Sequence, residues 1–386
     1  MTFWSLDTLK SITAGSWLAR AEHAPALLKG LAIDSRVLRR GEVFLALKGE
    51  HTDGHRFLRA AAEAASPLII IDHEESIAES PEARTALLGE LSRKGTSVLR
   101  VASSRAALLK LATEYRKTLE STRVISISGS NGKTTTTRLI ESVLAPTLRG
   151  VASQKSFNND LGVPLTILSA SPGDQYLLCE VGTNAPGEIA TLARVVMPDI
   201  AVFVSLGREH LEGLSSLKGV LEEEASLAAS ISPAGLAIVN AEPPEFAETV
   251  RLFLHSRGSA SDPARQTTPP LLRFGTEANA PGADLRVSDI SVTPRGTRFT
   301  LNGRTSVSIP IAGEHNALNA AAAFAVGRRM GLDESQIVAN LACATGADMR
   351  SALIEVSTSA APIHVLMDAY NANPESLKAA IDTLAS

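Results

Sequence analysis

Residues 124–135 read VISISGSNGKTT, a β-branched run followed by a glycine loop, a lysine and two threonines. Residues 133–144 then have helical periodicity, so the segment predicts a strand, a loop and a helix in succession. In this arrangement the N–H groups of the loop and the helix N-terminus can bind phosphate. Lys133 would neutralise phosphate charge, and the hydroxyl of Thr134 suits Mg²⁺. Only two residues separate the glycines, fewer than in the usual P-loop, so a plain glycine turn is the alternative.

The sequence after this loop predicts a mostly parallel sheet with helices between its strands, which is an α/β domain. The Pro-, Ser-, Ala- and Gly-rich residues 255–284 predict a long surface connection. Residues 316–330 predict a helix that ends at Gly331, and Asp333 with Gln336 forms a capping box for the next helix. The predicted strands are residues 124–128, 176–181, 200–205 and 236–240, with a hairpin from 287–292 and 298–301.

The two ends of the chain predict further α/β units. Short apolar strands at 43–47 and 68–71 and an Ala-rich helix at 57–65 indicate a small N-terminal α/β domain. An amphipathic helix at 105–119 places a boundary near its start. At the other end, a strand at 363–368 and a helix at 375–385 form a unit too small to bury its own apolar faces. The predicted domains are therefore 1–104, 105–346 and 347–386.

Composition excludes several classes of protein. The chain has 386 residues, a net charge of −4 and a pI near 6.1, without a run of Lys or Arg that would bind nucleic acid or an anionic membrane. Its two cysteines, Cys179 and Cys343, lie far apart, which argues against a disulfide framework or a cysteine zinc site. No signal peptide or membrane span is evident. A soluble, cytoplasmic protein without membrane insertion is expected, with a monomer as its expected state.

Two polar residues follow predicted strands at the edge where an open parallel sheet binds ligands. Glu180 ends the strand at 176–181, and its carboxylate would reach a metal bound beside the loop. His210 follows the strand at 200–205, and a neutral imidazole there would bind a second metal or a phosphate oxygen. A solvated strand end is the alternative for Glu180, and a hydrogen-bonded structural histidine is the alternative for His210.

Motifs spread over most of the chain resemble the Mur ligase family. The N-terminal residues 34–36, 41–44, 48–49 and 53–55 resemble the UDP-sugar-binding domain of its tripeptide- and pentapeptide-forming members. The other motifs occur in the family's order: GSNGKTT at 129–135, EVGTN with Glu180, REHLEG with His210, GEHNALNA with Asn316 and Asn319, DMR with Arg350, and MDAYNANP with Asp368. The resemblance implies a UDP-sugar-binding N-terminal domain, a central P-loop-type ATPase domain and the start of a Rossmann-like third domain.

Two segments narrow the resemblance within the family. The sequence FNNDLGVP at 157–164 and the sequence YNANP at 370–374 are similar to the members that add D-alanyl-D-alanine to UDP-N-acetylmuramoyl-tripeptide in peptidoglycan precursor synthesis. The implied reaction is phosphorylation of the tripeptide carboxylate by ATP, followed by attack of the D-alanyl-D-alanine amine on the acyl phosphate. Positioning and charge stabilisation would then carry catalysis, and no protein nucleophile is needed.

The resemblance also implies roles for individual residues. Lys133, Glu180, His210 and Glu224 would be catalytic, and Thr134, Glu180, His210 and Glu224 would hold Mg²⁺. For Asn316, a helix N-cap is the alternative to a nucleotide contact. The implied nucleotide-binding residues are Gly129, Ser130, Asn131, Gly132, Lys133, Thr134, Thr135, Asn316, Asn319, Arg350 and Asp368. The implied substrate-binding residues are Ser35, Arg36, Lys48, Asp53, His55, Asn158 and Asn159.

The sequence departs from the family in two places. At the position of Glu224 the family has a lysine whose carbamylated side chain holds the second metal, so we hypothesise that Glu224 supplies that carboxylate directly. A solvated acidic helix face at 222–224 is the alternative. In addition, only residues 347–386 follow Gly346, so most of the family's acceptor-binding domain is expected to be absent. The rival functions are the diamino-acid-adding ligase and an inactive nucleotide- or UDP-sugar-binding fragment.

Overall fold

A computed structural model describes residues 2–23, 25, 27–154, 157–208, 211–256, 268–293, 295–346, 352–356, 363–370 and 373–385. The chain forms two compact units: residues 1–120 with 160–172, and residues 121–159 with 173–386. Both contain sheets flanked by helices, which confirms the predicted α/β class. The domain boundaries expected at 104 and 346 come from sequence patterns, and they stay predictions because compactness alone does not define a family domain.

The first unit contains a five-stranded sheet in the order β1-β5-β4-β3-β2. β2 to β5 pair in parallel, and β1 joins β5 antiparallel. The strands β3 and β4 are short, apolar and fully buried, which is typical of parallel strands covered on both faces. Its elements are α1 (Leu6–Thr13), β1 (Ser16–Ala19), β2 (Leu31–Ala32), β3 (Val43–Leu45), a 3₁₀ helix (Gly54–Phe57), α2 (Leu58–Glu63), β4 (Leu68–Ile71), α3 (Pro81–Arg93), β5 (Ser97–Arg100) and α4 (Ser104–Thr118).

The second unit contains most of the remaining elements, and α6 alone of those that follow belongs to the first unit. In chain order they are β6 (Arg123–Ser128), α5 (Lys133–Leu144), β7 (Gly150–Ala152), α6 (Gly162–Ser169), β8 (Tyr176–Glu180), α7 (Glu188–Val196), β9 (Ile200–Phe203), α8 (Leu211–Leu214), α9 (Leu217–Ala225), a 3₁₀ helix (Ser226–Ser230), β10 (Leu236–Asn240), α10 (Pro244–Ser256), β11 (Leu271–Thr276), β12 (Leu285–Thr293), β13 (Gly296–Leu301), β14 (Thr305–Ile309), α11 (Glu314–Arg329), α12 (Glu334–Ala342), β15 (Ala352–Val356), β16 (Ile363–Met367) and α13 (Pro374–Ala385).

The main sheet of this unit has nine strands in the order β14-β13-β12-β11-β10-β9-β6-β8-β7. The strands from β7 to β12 in this order pair in parallel, and β13 and β14 complete one edge as antiparallel strands. This confirms the predicted mostly parallel sheet. The core on one face is formed by α5, α11 and α12, where the small alanines at 320–323 in α11 are fully buried. A Cβ at Gly327 of α11 would lie 2.8 Å from Val143, so this glycine permits close helix packing.

One element contradicts the sequence prediction. Residues 271–276 were expected to lie in a surface connection, but they form β11, a parallel strand between β10 and β12. The prediction was wrong because the Pro- and Gly-rich flanks dominate the local composition, while the strand itself buries only Phe274 and Gly275 fully. The rest of the predicted connection includes residues 257–267, which lie outside the described residues.

The C-terminal residues form a two-stranded antiparallel sheet of β15 and β16, followed by α13. Their apolar side chains are exposed at Ile363 and Val365 of β16 and at Leu377, Ile381 and Leu384 of α13. This confirms that the last strand and helix do not bury their own apolar faces. Among the helices of the described residues, none is long and apolar enough to cross a membrane.

Candidate active site

The loop between β6 and α5 has the backbone conformation that a phosphate cradle requires. Gly129 and Gly132 have φ values of +129° and +84°, which residues other than glycine rarely adopt. A Cβ at Gly132 would lie 2.7 Å from the Oδ1 of Asn319, so the site also lacks space for one. The glycine conformations therefore let the chain turn from β6 into α5, and an anion is favoured at the N-terminus of that helix.

Ser205, which follows β9, fixes the shape of this loop. Its backbone oxygen accepts a hydrogen bond from Ser130 N at 3.0 Å. Its hydroxyl accepts one from Asn131 N and donates one to Asn131 O, both at 2.8 Å. Sequence reasoning placed Ser205 only at a strand end, and a lone serine there carries no signal of this role. The contacts show that the loop is held in shape by its neighbouring strand.

Lys133 begins α5 with its ammonium folded over the loop. Nζ donates hydrogen bonds to the carbonyl oxygens of Gly129 at 2.5 Å and Ser130 at 3.0 Å. Carbonyls are weaker partners for an ammonium than phosphate oxygens are, because charge-assisted hydrogen bonds to anions are stronger. Lys133 is therefore placed to exchange these carbonyls for a phosphate bound in the loop.

Glu180 at the end of β8 lies beside Thr134 of α5. The hydroxyl of Thr134 donates to Oε2 of Glu180 at 2.9 Å, and Nδ2 of Asn158 donates to Oε1 at 3.0 Å. The glutamate is only 1% exposed, so the alternative of a solvated strand end is wrong. No lysine or arginine of the described ranges forms an ion pair with this carboxylate. A buried carboxylate next to a hydroxyl forms a set of hard oxygen donors that fits Mg²⁺.

Glu224 of α9 is buried against the start of the same loop. It is 2% exposed and accepts hydrogen bonds from Gly129 N at 2.7 Å and from the hydroxyl of Ser128. The neighbouring Glu223 accepts hydrogen bonds from the N–H groups of Gly187 and Ile189, both at 2.8 Å. The alternative of a solvated acidic helix face is therefore wrong for Glu223 and Glu224.

A cavity beside the loop is lined by residues from α11 and the C-terminal segment. Asn319 of α11 lines it, and its Nδ2 donates to Oδ1 of Asn316 at 3.0 Å. Asn316 in turn donates to Ala312 O at 2.8 Å. Asn316 is the third residue of α11, whose N-cap is Gly313, so the N-cap alternative is wrong. The lining residues are Asn131, Gly132, Thr135, Val204, Ser205, Leu206, Asn240, His315, Leu318, Asn319, Asp368, Ser376 and Ala379.

Two residues of this cavity region were not predicted as site residues. Burial lowers the pKa of His315, an effect that the nearby Asp368 carboxylate opposes, so the imidazole is held towards its neutral form. Asn373 donates through Nδ2 to Oδ1 of Asn131 at 2.7 Å, which joins the C-terminal segment to the phosphate loop. The motifs around both residues were noted in the sequence, but their contacts depend on elements far apart in the chain.

Comparison with known proteins agrees with this geometry. Residues 127–327 match the model of the Mur ligase middle domain, and residues 27–116 match the model described as the Mur ligase family, catalytic domain. The chain belongs to the Mur ligase family. Members of this family are ATP-dependent ligases, so ATP use and ligation agree with the predicted class of enzyme.

Individual Mur ligases resemble the chain over nearly its full length. The UDP-N-acetylmuramoyl-tripeptide–D-alanyl-D-alanine ligase of Bacillus subtilis is 32% identical over 94% of this chain and 72% of its own length. A crystal structure of MurF from Acinetobacter baumannii has a TM-score of 0.81 and 30% identity, covering 99% of this chain and 76% of that one. MurF from Thermotoga maritima in complex with ADP has the same fold, with a TM-score of 0.72 and 24% identity over 92% of this chain and 74% of that one.

The structure brings most of the predicted Mur ligase residues of the second unit to one sheet edge. Lys133, Thr134, Glu180 and Glu224 lie on or against the loop, while Asn319 and Asp368 line the cavity beside it. His210 and Arg350 lie outside the described residues, and their roles stay predictions. Asn159 follows Asn158 in the second unit, and its predicted substrate role likewise stays a prediction.

A separate pocket in the first unit contains three of the predicted substrate-binding residues, namely Ser35, Arg36 and Lys48. Phe57, which is 39% exposed, also lines it. Asp53 and His55 are not among its lining residues; the His55 side chain is fully buried, and its Nδ1 lies 2.7 Å from the Asp53 carboxylate. The complete lining is Ile33, Asp34, Ser35, Arg36, Phe44, Leu47, Lys48, Gly49, Thr52, Gly54, Phe57, Arg105 and Leu161.

Proposed function

We propose that this Mur ligase joins D-alanyl-D-alanine to UDP-N-acetylmuramoyl-tripeptide, using ATP and forming an acyl-phosphate intermediate. The observation that carries the proposal is the arrangement of Lys133, Thr134 and Glu180 around a phosphate loop, in a chain 32% identical to a ligase of that name. In the reaction, the γ-phosphoryl group of ATP is transferred to the tripeptide carboxylate and ADP is released. The amine of D-alanyl-D-alanine then attacks the acyl carbon, and inorganic phosphate leaves with its bonding electron pair.

The β- and γ-phosphates of ATP would bind at the N-terminus of α5, through the backbone N–H groups of its first turn. Lys133, now on the carbonyls of Gly129 and Ser130, would turn to the phosphate oxygens and stabilise the charge that develops during phosphoryl transfer. The cavity lined by Asn319, His315 and Asp368 lies next to the loop, where the nucleoside of the same ATP molecule must lie. These residues would hold the base and the ribose.

The oxygen donors beside the loop support a Mg²⁺ requirement. Thr134 and Glu180 would hold one ion, and Glu224 with His210 would contribute to a second. Bound Mg²⁺ would supply positive charge to the phosphate oxygens. Glu224 also anchors Gly129 N, so it keeps the loop in position in addition to offering anionic oxygen.

The pocket of the first unit suits the UDP part of the substrate. Arg36, Lys48 and Arg105 line it, and a diphosphate would compete with Asp34 and Asp160 for the two guanidinium groups. The exposed ring of Phe57 offers a surface on which a uracil base can stack. We therefore assign UDP binding to this pocket. Because its substrates are precursors made inside the cell, we also propose that the enzyme acts in the cytoplasm, and as a monomer.

The test is product formation by the 386-residue chain with ATP, Mg²⁺, UDP-N-acetylmuramoyl-tripeptide and D-alanyl-D-alanine, followed by mass spectrometry. We expect the UDP-N-acetylmuramoyl-pentapeptide together with equimolar ADP and phosphate. A parallel reaction with UDP-N-acetylmuramoyl-dipeptide and a diamino acid serves as the control for the rival ligase activity. Product in that reaction alone would reassign the enzyme, and ATP binding without either product would make the chain a nucleotide-binding protein.

A further inference from the structure

Three side chains with metal-ligating atoms converge in the first unit, next to the segment that lines the pocket assigned to UDP. Asp72 and His73 directly follow β4, and His55 lies in the 3₁₀ helix that precedes α2. Nε2 of His55 lies 3.0 Å from Oδ1 of Asp72, and Nδ1 of His73 lies 2.9 Å from the same oxygen. All three atoms lie within 4.8 Å of one another.

The hydrogen bonds of His55 determine which of its nitrogens carries a lone pair. Nδ1 lies 2.7 Å from Oδ1 of Asp53, so Nδ1 carries the hydrogen that this carboxylate accepts. The backbone N–H of Asp72 donates to Nε2 at 3.3 Å, so Nε2 is the acceptor of the neutral ring. The lone pair of Nε2 therefore faces the Asp72 carboxylate, another acceptor, inside the protein.

The Asp72 carboxylate also has an oxygen that a cation would stabilise. Its Oδ2 accepts a hydrogen bond from Ser104 N at 2.9 Å, whereas its buried Oδ1 has no hydrogen-bond donor in suitable geometry among the described residues. Two acceptors 3.0 Å apart repel each other unless a positive charge lies between them. The His55 side chain is fully buried, and Nδ1 of the half-exposed His73 ring lies 2.9 Å from the same Asp72 oxygen.

We propose that His55 Nε2, Asp72 Oδ1 and His73 Nδ1 bind a Zn²⁺ ion. Metal–ligand bonds of about 2.0–2.2 Å place neighbouring ligand atoms roughly 3 to 3.5 Å apart, close to the 3.0 Å and 2.9 Å that separate Asp72 Oδ1 from the two imidazole nitrogens. Imidazole nitrogens favour zinc over magnesium, so this site differs in chemistry from the oxygen donors beside the phosphate loop. The Asp53–His55 hydrogen bond is the carboxylate–histidine contact that orients histidine ligands of metals.

The ion would act as a structural tie. It would join the 3₁₀ helix to the end of β4, and the same helix continues from the loop at 48–53 that lines the pocket of the first unit. Gly54 N donates to Leu47 O at 2.8 Å, and Lys48 and Asp53 form a β-bridge, so the loop is short and closed. A metal bound to His55 would therefore hold the C-terminal end of the loop at 48–53 in position. Its effect on substrate binding rests on the proposed assignment of this pocket to UDP.

The test is isothermal titration of the full chain with ZnCl₂ in buffer free of Mg²⁺ and nucleotide. A Cys343→Ser background removes an exposed thiol, because thiolates in general bind zinc and would add a second site. We expect one Zn²⁺ per chain, with binding weakened at least about 10-fold in His73→Ala and in Asp72→Asn. The His51→Ala variant, which changes an exposed histidine outside the cluster, is expected to bind zinc as the parent does.

A second measurement keeps the result independent of folding. Co²⁺ added in place of Zn²⁺ is expected to give visible absorption bands in the parent and in His51→Ala, and to lose them in His73→Ala. Circular dichroism of His73→Ala must match the parent, which is expected because this ring is half exposed. Absence of stoichiometric zinc binding, or equal binding by folded His73→Ala, would overturn the proposal and leave a proton as the cation between His55 and Asp72.

Discussion

The hydroxyl of Thr134 donates a hydrogen bond to the buried carboxylate of Glu180 over 2.9 Å. The two residues are 46 positions apart in the chain, and the sheet brings them together. β6 and β8 are parallel neighbours, and Ile127 pairs with Glu180, so the end of β8 lies level with the start of the phosphate loop. This register places an anionic oxygen and a hydroxyl oxygen side by side, which is the arrangement that the proposed Mg²⁺ site requires.

Glu180→Gln is expected to raise the Mg²⁺ concentration needed for half-maximal ligase activity and to lower the rate about 100-fold or more. The amide still accepts from Thr134 and so preserves the packing, but it removes the anionic charge. The measurement is the ligase rate against Mg²⁺ concentration. Glu222→Gln, on the exposed face of α9, is the matched control and should leave the curve unchanged. An unshifted curve for Glu180→Gln would remove this residue from the metal site.

Lys133→Met is expected to reduce ATP turnover by about 100-fold or more, because no other positive charge of the loop replaces its ammonium at the phosphates. Lys110→Met, which changes an exposed lysine of α4, is the control for general effects of losing a lysine. Binding of ADP and of ATP should be compared by titration, since a residue that acts on the terminal phosphates affects ATP more. Equal weakening of ADP binding and ATP binding would instead indicate that the substitution had changed the conformation of the loop.

Two substitutions at Glu224 separate its two proposed roles. Glu224→Gln keeps an acceptor for Gly129 N but loses the negative charge, whereas Glu224→Ala loses both. If the carboxylate holds Mg²⁺, both variants should need more Mg²⁺ and turn over more slowly. If it only anchors the loop, the glutamine variant should behave as the parent and the alanine variant should bind ATP weakly. Unchanged Mg²⁺ dependence and rate in Glu224→Ala would eliminate both roles.

The sequence predicted the parts of this site that local pattern determines. The strand, glycine loop and helix at 124–144 are contiguous, so their periodicity and turn residues were sufficient to locate Lys133 and Thr134. Ser205, His315 and Asn373 were missed because each acts through a partner distant in the chain. The burial of the glutamates in α9 was also not predictable from local sequence. The sequence of α9 does not show that Glu224 is buried while Glu222 is exposed.

His315 predicts a pH dependence of stability. Burial lowers its pKa in the folded protein below the ordinary value of 6.5 that it regains on unfolding, despite the opposing charge of Asp368. Between these two values the unfolded chain binds a proton that the folded chain does not, so unfolding becomes more favourable. The stabilising contribution is therefore complete above pH 6.5 and is lost as the pH falls through the lowered value.

The His315→Gln variant, whose side chain does not titrate, tests this dependence. Between about pH 7.5 and about pH 5.5, it is expected to lose less free energy of unfolding than the parent does. Chemical denaturation at each pH measures this difference. His51→Gln, at an exposed position, should follow the parent, and an equally steep loss in His315→Gln would show that other groups cause the acid sensitivity.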